Sequence, residues 1–156
     1  EAGQVARESV RCANDSNDRR SQVLALQALA DVALAQGHAF DALEAASQAM
    51  EQARFEGLVL QEAAALATVV AARLANAEPS EALRAAKDAH DRSKRLSNPR
   101  AEAAALEAVA TVCLHIRAPA EAIQALDGAR AHYKKLKDRK KEAAVVGQAV
   151  KAQLLA

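Results

Sequence analysis

The chain has 156 residues, 51% of them apolar and 2% aromatic, which is the size of a single domain without the bulky side chains of a thick core. It has no run of eighteen apolar residues, which excludes a membrane span, and Glu1-Ala2-Gly3-Gln4-Val5 has neither the basic nor the apolar stretch of a secretory leader. Its formal charge of +1 conceals two unequal halves: residues 1–78 hold six Lys/Arg against eleven Asp/Glu (−5), and residues 79–156 hold fifteen against nine (+6).

Alanine fills more than a quarter of all positions. It is the strongest helix former and loses no side-chain entropy on ordering, so an all-helical chain with closely approaching helices is expected. In chain order, residues 2–13 read as a first helix and Asn14-Asp15-Ser16-Asn17-Asp18 as a turn rich in capping side chains. Helices follow over about 20–36, ended by Gly37, and 40–55, ended by Gly57. The next pair spans about 58–76 and 79–96, with Pro79 in a first turn, where a missing N–H costs nothing. Asn98-Pro99 opens another helix, Ala118-Pro119 breaks it, and the following helix runs to about Leu136. A last helix is expected over Arg139–Leu155.

These helices repeat. Ala25-Leu26 returns as Ala65-Leu66 and Ala105-Leu106, and Ala42-Leu43 returns as Ala82-Leu83 and Ala122-Ile123, always at a step of forty. A fixed period in this range marks stacked repeats. The register gives a half repeat at 1–16, full repeats at 17–57, 58–97 and 98–137, and a half repeat at 138–156. The last helix keeps an apolar stripe through Ala143, Val146, Val150 and Leu154 where a terminal cap would be polar, so the chain reads as a piece of a longer array.

The segment Ala25-Leu26-x-x-Leu29-Ala30-x-Val32-Ala33-Leu34-x-Gln36-Gly37, with Asp41-Ala42-Leu43-x-x-Ala46-x-x-Ala49 after it, resembles a tetratricopeptide repeat (TPR). Leu29-Ala30, Ala42 and Ala49 stand at that family's Leu-Gly pair and its two small second-helix positions. The resemblance implies an all-α solenoid of about eight helices, antiparallel hairpins wound into a right-handed superhelix. The period of forty, longer than the usual TPR unit, is similar to that of kinesin-light-chain-type repeats; the six extra residues fall between each second helix and the next first helix, so that each helix is expected to gain nearly a turn. HEAT-like repeats share a similar period and stand second, because the alanine ladder 42, 46, 49 fits TPR better.

Candidate chemistry is sparse. His38, His90, His115 and His132 never fall at i, i+4, so no zinc motif forms, and five scattered glycines make no phosphate cradle. Cys12 and Cys113 are far apart in sequence and read as two reduced thiols, which suits the cytoplasm. Neither an enzyme nor a cofactor is expected.

The resemblance places the first helices on a concave face, where matching positions form columns: Gln27, Ala67, Glu107, Gly147; then Asp31, Ala71, Thr111, Lys151; then Leu34, Leu74, Leu114, Leu154, with His115 beside them. The Lys/Asn carboxylate clamp known from that family is missing from these columns. The expectation is a non-catalytic scaffold that takes a protein partner, a peptide or helix, on this face; the alternative for the leucines is inter-helix core. A second reading is self-association into a homo-oligomer, the acidic N-terminal end meeting the basic cluster Lys134, Lys135, Lys137, Arg139, Lys140 and Lys141. That cluster lacks interleaved aromatics for base stacking, which argues against nucleic acid, and a membrane partner is likewise not expected.

Overall fold

A computed structural model describes residues 1–16 and 18–154. Eight helices and no strand occur among them: α1 (Ala2–Ser16), α2 (Arg19–Ala35), α3 (Ala39–Phe55), α4 (Val59–Ala75), α5 (Pro79–Arg95), α6 (Pro99–His115), α7 (Pro119–Lys135) and α8 (Arg139–Leu154). Within α1–α4 and within α5–α8 successive helices pack against their neighbours, the all-α arrangement of helical repeats. Helix α1 runs through Ser16, further than the expected 13, while Asn17 and Leu155 lie outside the described residues. No helix among the described residues is long and apolar enough to cross a membrane.

The backbone repeats with every helix, at half the sequence period. Helices α2 through α7 all have the same length, 17 residues. Each connector from α2 to α8 spans just three positions. A unit of forty is therefore two such helices and two such connectors, and the helices take up nearly all of it.

All six connectors use one device. In the first, the Gly37 N–H donates to Leu34 O (3.0 Å) and the His38 N–H to Ala33 O (2.9 Å). These paired bonds satisfy carbonyls left open at the helix end, and they require a left-handed residue in the connector. That residue is Gly37 or Gly57 in two connectors and Ala77, Ser97, Arg117 or Lys137 in the others. The next helix often has its own cap: Asp18 accepts from the Arg20 N–H (3.1 Å), Asn98 from Ala101 (3.1 Å) and Asp138 from Lys141 (3.1 Å). The Ser21 hydroxyl first, and then the Arg20 and Ser21 amides, hold the exposed Asp18 carboxyl below its ordinary range.

The chain divides into two units, Glu1–Glu78 and Pro79–Ala156, and the division coincides with the boundary between the acidic and basic halves. In the first, α1–α4 pack in sequence through small apolar clusters. Leu26 packs with Ala49 and Ala65; Ala30 with Ala45, Ala46 and Val69; Ala33 with Ala42 and Ala72. The second-helix ladder Ala42, Ala46, Ala49, Ala53 is wholly buried, and its lack of bulk lets the helices approach closely. In the second unit, α5–α8 share one continuous core that includes Cys113, Leu126, Tyr133 and Val145. Gly128 lies against the Leu106 side chain; an added Cβ would stand 3.0 Å from its Cδ1.

Candidate functional site

In the first unit the first helices α2 and α4 pack against each other as well as against α3. Their common outward face is paved with small residues: Ala28, Ala35, Ala64, Ala67 and Ala75 are exposed, Ala71 is half-buried, and exposed Leu24 and Leu60 stand toward the N-terminal ends. A polar network joins the two helices. The Gln27 Nε2 donates to Asp31 Oδ1 and to Thr68 Oγ1, each at 2.8 Å, and the Thr68 hydroxyl lies 3.0 Å from the same Asp31 oxygen. Asp31 itself is exposed. Two neutral donors on one carboxylate oxygen fix its position while the group still faces solvent, a geometry suited to a cationic partner. Gln27 Oε1 is buried without a hydrogen-bond partner, a cost of roughly 1–3 kcal/mol that an apolar side chain would avoid.

In the leucine column Leu154 is 82% exposed, while Leu34 and Leu114 are half-buried, Leu34 against the Ala33–Ala42–Ala72 cluster and Leu114 against the core of the second unit. Leu74 is half-buried, and Arg73 one residue before it reaches Glu78 at 3.1 Å across the helix end.

In the second unit Glu107 of α6 is used internally. It accepts a short hydrogen bond from the Tyr133 hydroxyl of α7, and the Lys141 Nζ of α8 lies 3.5 Å from the same carboxylate and 5.8 Å from the Tyr133 ring centre. This cluster links three helices. Burial first, and then the Glu107 carboxylate, push the Tyr133 phenol well above its ordinary range. Thr111 is exposed and turns its hydroxyl back to Glu107 O at 3.0 Å, and Lys151 is exposed on α8. His115 and Leu114 line, with Arg117 and Pro119, a pocket of about 300 Å³ at the α6–α7 connection.

All six basic residues, Lys134, Lys135, Lys137, Arg139, Lys140 and Lys141, are exposed, and Lys141 also reaches Glu107 and the Tyr133 ring. Lys134 and Lys135 sit at the C-terminus of α7, where the helix dipole favours cations; Arg139 and Lys140 sit at the N-terminus of α8, where it opposes them. Asp138 between them caps α8 and lies 3.6 Å from Arg100 of α6.

Three features escaped the sequence reading. Thr68 stands one residue off the expected column partner of Gln27, and only the packing of α2 on α4 reveals the pairing. Tyr133 has a legible signal: it occupies a column otherwise filled by Ala13, Ala53 and Ser93, so a large side chain stands where the repeat is small. A cleft of about 300 Å³ opens between α1 and α3, floored by Leu29 and Val32 of α2 and edged by Arg7, His38, Asp41 and Glu44.

Cys12 is exposed on α1 and Cys113 is buried on α6, where burial, and then Glu121, raise its thiol pKa. Among the described residues no three His, Cys, Asp or Glu side chains gather as a metal site. Compared with models of protein families and with curated proteins, the chain matches neither.

Proposed function

We propose that the chain is a non-catalytic protein-binding scaffold of TPR-like repeats, and that the first-helix face of α2 and α4 receives an amphipathic helix carrying a lysine or arginine. The observation that carries this reading is the exposed Asp31 carboxylate, held by Gln27 and Thr68 in the middle of an alanine-paved surface. Small side chains allow a partner helix to approach the backbone closely, and Leu24 and Leu60 supply apolar contact at one end. The cation would pair with Asp31 in a partly desolvated setting, where a charge-assisted hydrogen bond contributes roughly 1.5–3 kcal/mol. That amounts to about ten- to a hundredfold in affinity.

The test is a fluorescence-anisotropy titration with a panel of labelled amphipathic helical peptides, with and without a central lysine. The lysine-bearing peptides are expected to bind, and Asp31→Arg is expected to weaken them at least tenfold. Ala67→Arg, which blocks the floor, should do the same, while Lys151→Glu should change nothing. Binding indifferent to both Asp31→Arg and Ala67→Arg would remove this face from consideration.

A further inference from the structure

Both phenylalanines of the chain stand on α3, and both face water: Phe40 is 73% exposed and Phe55 89%. Burying a ring is among the largest gains open to a folding chain, and the third aromatic, Tyr133, is buried. The repeat supplies internal controls. The equivalent outward positions are Ser80 and Arg95 on α5 and Ala120 and Lys135 on α7, all exposed. Small or charged side chains therefore suffice for the helix there, and phenylalanine is no better a helix former than they are. Helix α3 is packed by α2 before it and α4 after it, so its outward face does not owe its exposure to either end of the chain.

The two rings end a single stripe. Phe40, Glu44, Gln48, Glu51 and Phe55 are all exposed, and at 3.6 residues per turn they share a sector of about 80° on α3. At 1.5 Å per residue the rings are separated by about 22 Å along the helix axis, some four turns. The interval between them holds carboxylates and an amide but no cation. Among the described residues neither Glu44 nor Glu51 has an ion-pair partner, and Arg54, beside Phe55, is turned to Glu62 at 3.1 Å.

We propose that this stripe is a second interaction surface, and that its occupant is a partner helix of about four turns with an apolar residue at each end and lysine or arginine between. The spacing dictates the pattern. Read from either end, the stripe is Phe, Glu four residues on, Glu seven further and Phe four further. A partner with leucine or methionine at i and i+15 sets both on the rings, and cations at i+4 and i+11 then face the two glutamates. Aromatic side chains are where binding energy concentrates at interfaces, and a cation drawn to Glu51 also comes within reach of the Phe55 ring.

Charge selects this occupant over a second copy of the chain. Two α3 helices packed antiparallel would pair Phe40 with Phe55, but they would also set Glu44 against Glu51 twice, and parallel packing would set each glutamate against itself. Like charges brought together in an interface suppress that pairing, whereas cations at the same two places satisfy it. The unit that holds α3 carries −5, which draws a cationic partner toward it. None of these residues belongs to the α2–α4 face, so the stripe stands or falls separately from the binding reading.

The probe is a labelled, alanine-rich helical peptide with leucine at i and i+15 and lysine at i+4 and i+11, titrated into the full chain by fluorescence anisotropy. It is expected to bind, and Phe40→Ala and Phe55→Ala are each expected to weaken it about tenfold or more, as the loss of an aromatic anchor does. Asp31→Arg should leave its affinity unchanged. Glu44→Lys combined with Glu51→Lys should release the lysine peptide and take up instead the same peptide with glutamate at i+4 and i+11. All four α3 positions are exposed, so the variants should keep wild-type helix content by circular dichroism. A lysine peptide that does not bind, or affinity indifferent to both phenylalanine variants, would overturn the proposal. So would charge reversal without a swap of preference, or a dimer of the chain alone that Phe40→Ala dissolves, since the occupant would then be a second copy.

Discussion

The connector residues show how local conformation is enforced against preference. Ala77, Ser97, Arg117 and Lys137 hold φ between 51 and 59°, where a Cβ costs on the order of 1–2 kcal/mol. The paired hydrogen bonds that close each helix end hold them there. Arg117→Gly and Lys137→Gly are therefore expected to stabilise the fold by about 0.5–1 kcal/mol each, net of the greater freedom glycine has when unfolded. Gly37→Ala should destabilise by about 1 kcal/mol through backbone strain alone, since an added Cβ there meets nothing within 4 Å. Thermal melts of the three variants check both signs.

Tyr133 is the only tyrosine in the chain, so its ionisation is a single-site probe. Its folded pKa lies above the ordinary 10.0, so the folded state keeps the phenolic proton after the unfolded chain has lost it. The associated stability is fully present below 10.0 and is lost as pH rises from there toward the folded pKa. Ultraviolet titration should show the phenolate appearing well above 10.0, together with loss of helix. Tyr133→Phe should shift unfolding less as pH rises, at a cost near neutral pH of roughly 1.5–3 kcal/mol for the lost bond to the Glu107 carboxylate.

At the scale of elements, a helix pair is held by many small contacts and a few large ones. Leu126 is the largest fully buried side chain, set in a core otherwise made mostly of alanine. Leu126→Ala is expected to cost about 2–5 kcal/mol, because helices already spaced by alanines cannot close further on the cavity. The helices themselves were legible in the sequence: Gly37, Gly57, Pro79, Pro99 and Pro119 mark boundaries that the structure keeps within a residue or two. The end of α1 was not, because Asn14, Asp15 and Ser16 favour turns in isolation, yet the helix continues through them before Asp18 caps α2. Nor were the left-handed connectors at Ala77, Ser97, Arg117 and Lys137, where no glycine announces the turn.

At the scale of the whole molecule, helix packing within each unit runs mainly between chain neighbours, so energy is shared locally, as in other repeat arrays. Each unit also carries its own core. Leu126→Ala should therefore lower hydrogen-exchange protection in α6–α8 while leaving α2 and α3 close to wild type. A uniform loss of protection along the chain would show instead that both units unfold as one.

The sequence by itself determined that the chain is helical, that its motifs return at a constant step, where its helices break and that its halves differ in charge, because alanine content, punctuation by Gly and Pro, and charge are properties of residue order. Only the tertiary structure decided which side chains of the proposed face remain available. Leu34, Leu74 and Leu114 are half-buried, whereas Leu154 of the same column is 82% exposed. Gln27 and Asp31 meet Thr68, and Glu107 meets Tyr133 and Lys141, between helices well separated along the chain. Those pairings depend on how one helix is set against another, through contacts between distant residues that a periodic sequence does not specify.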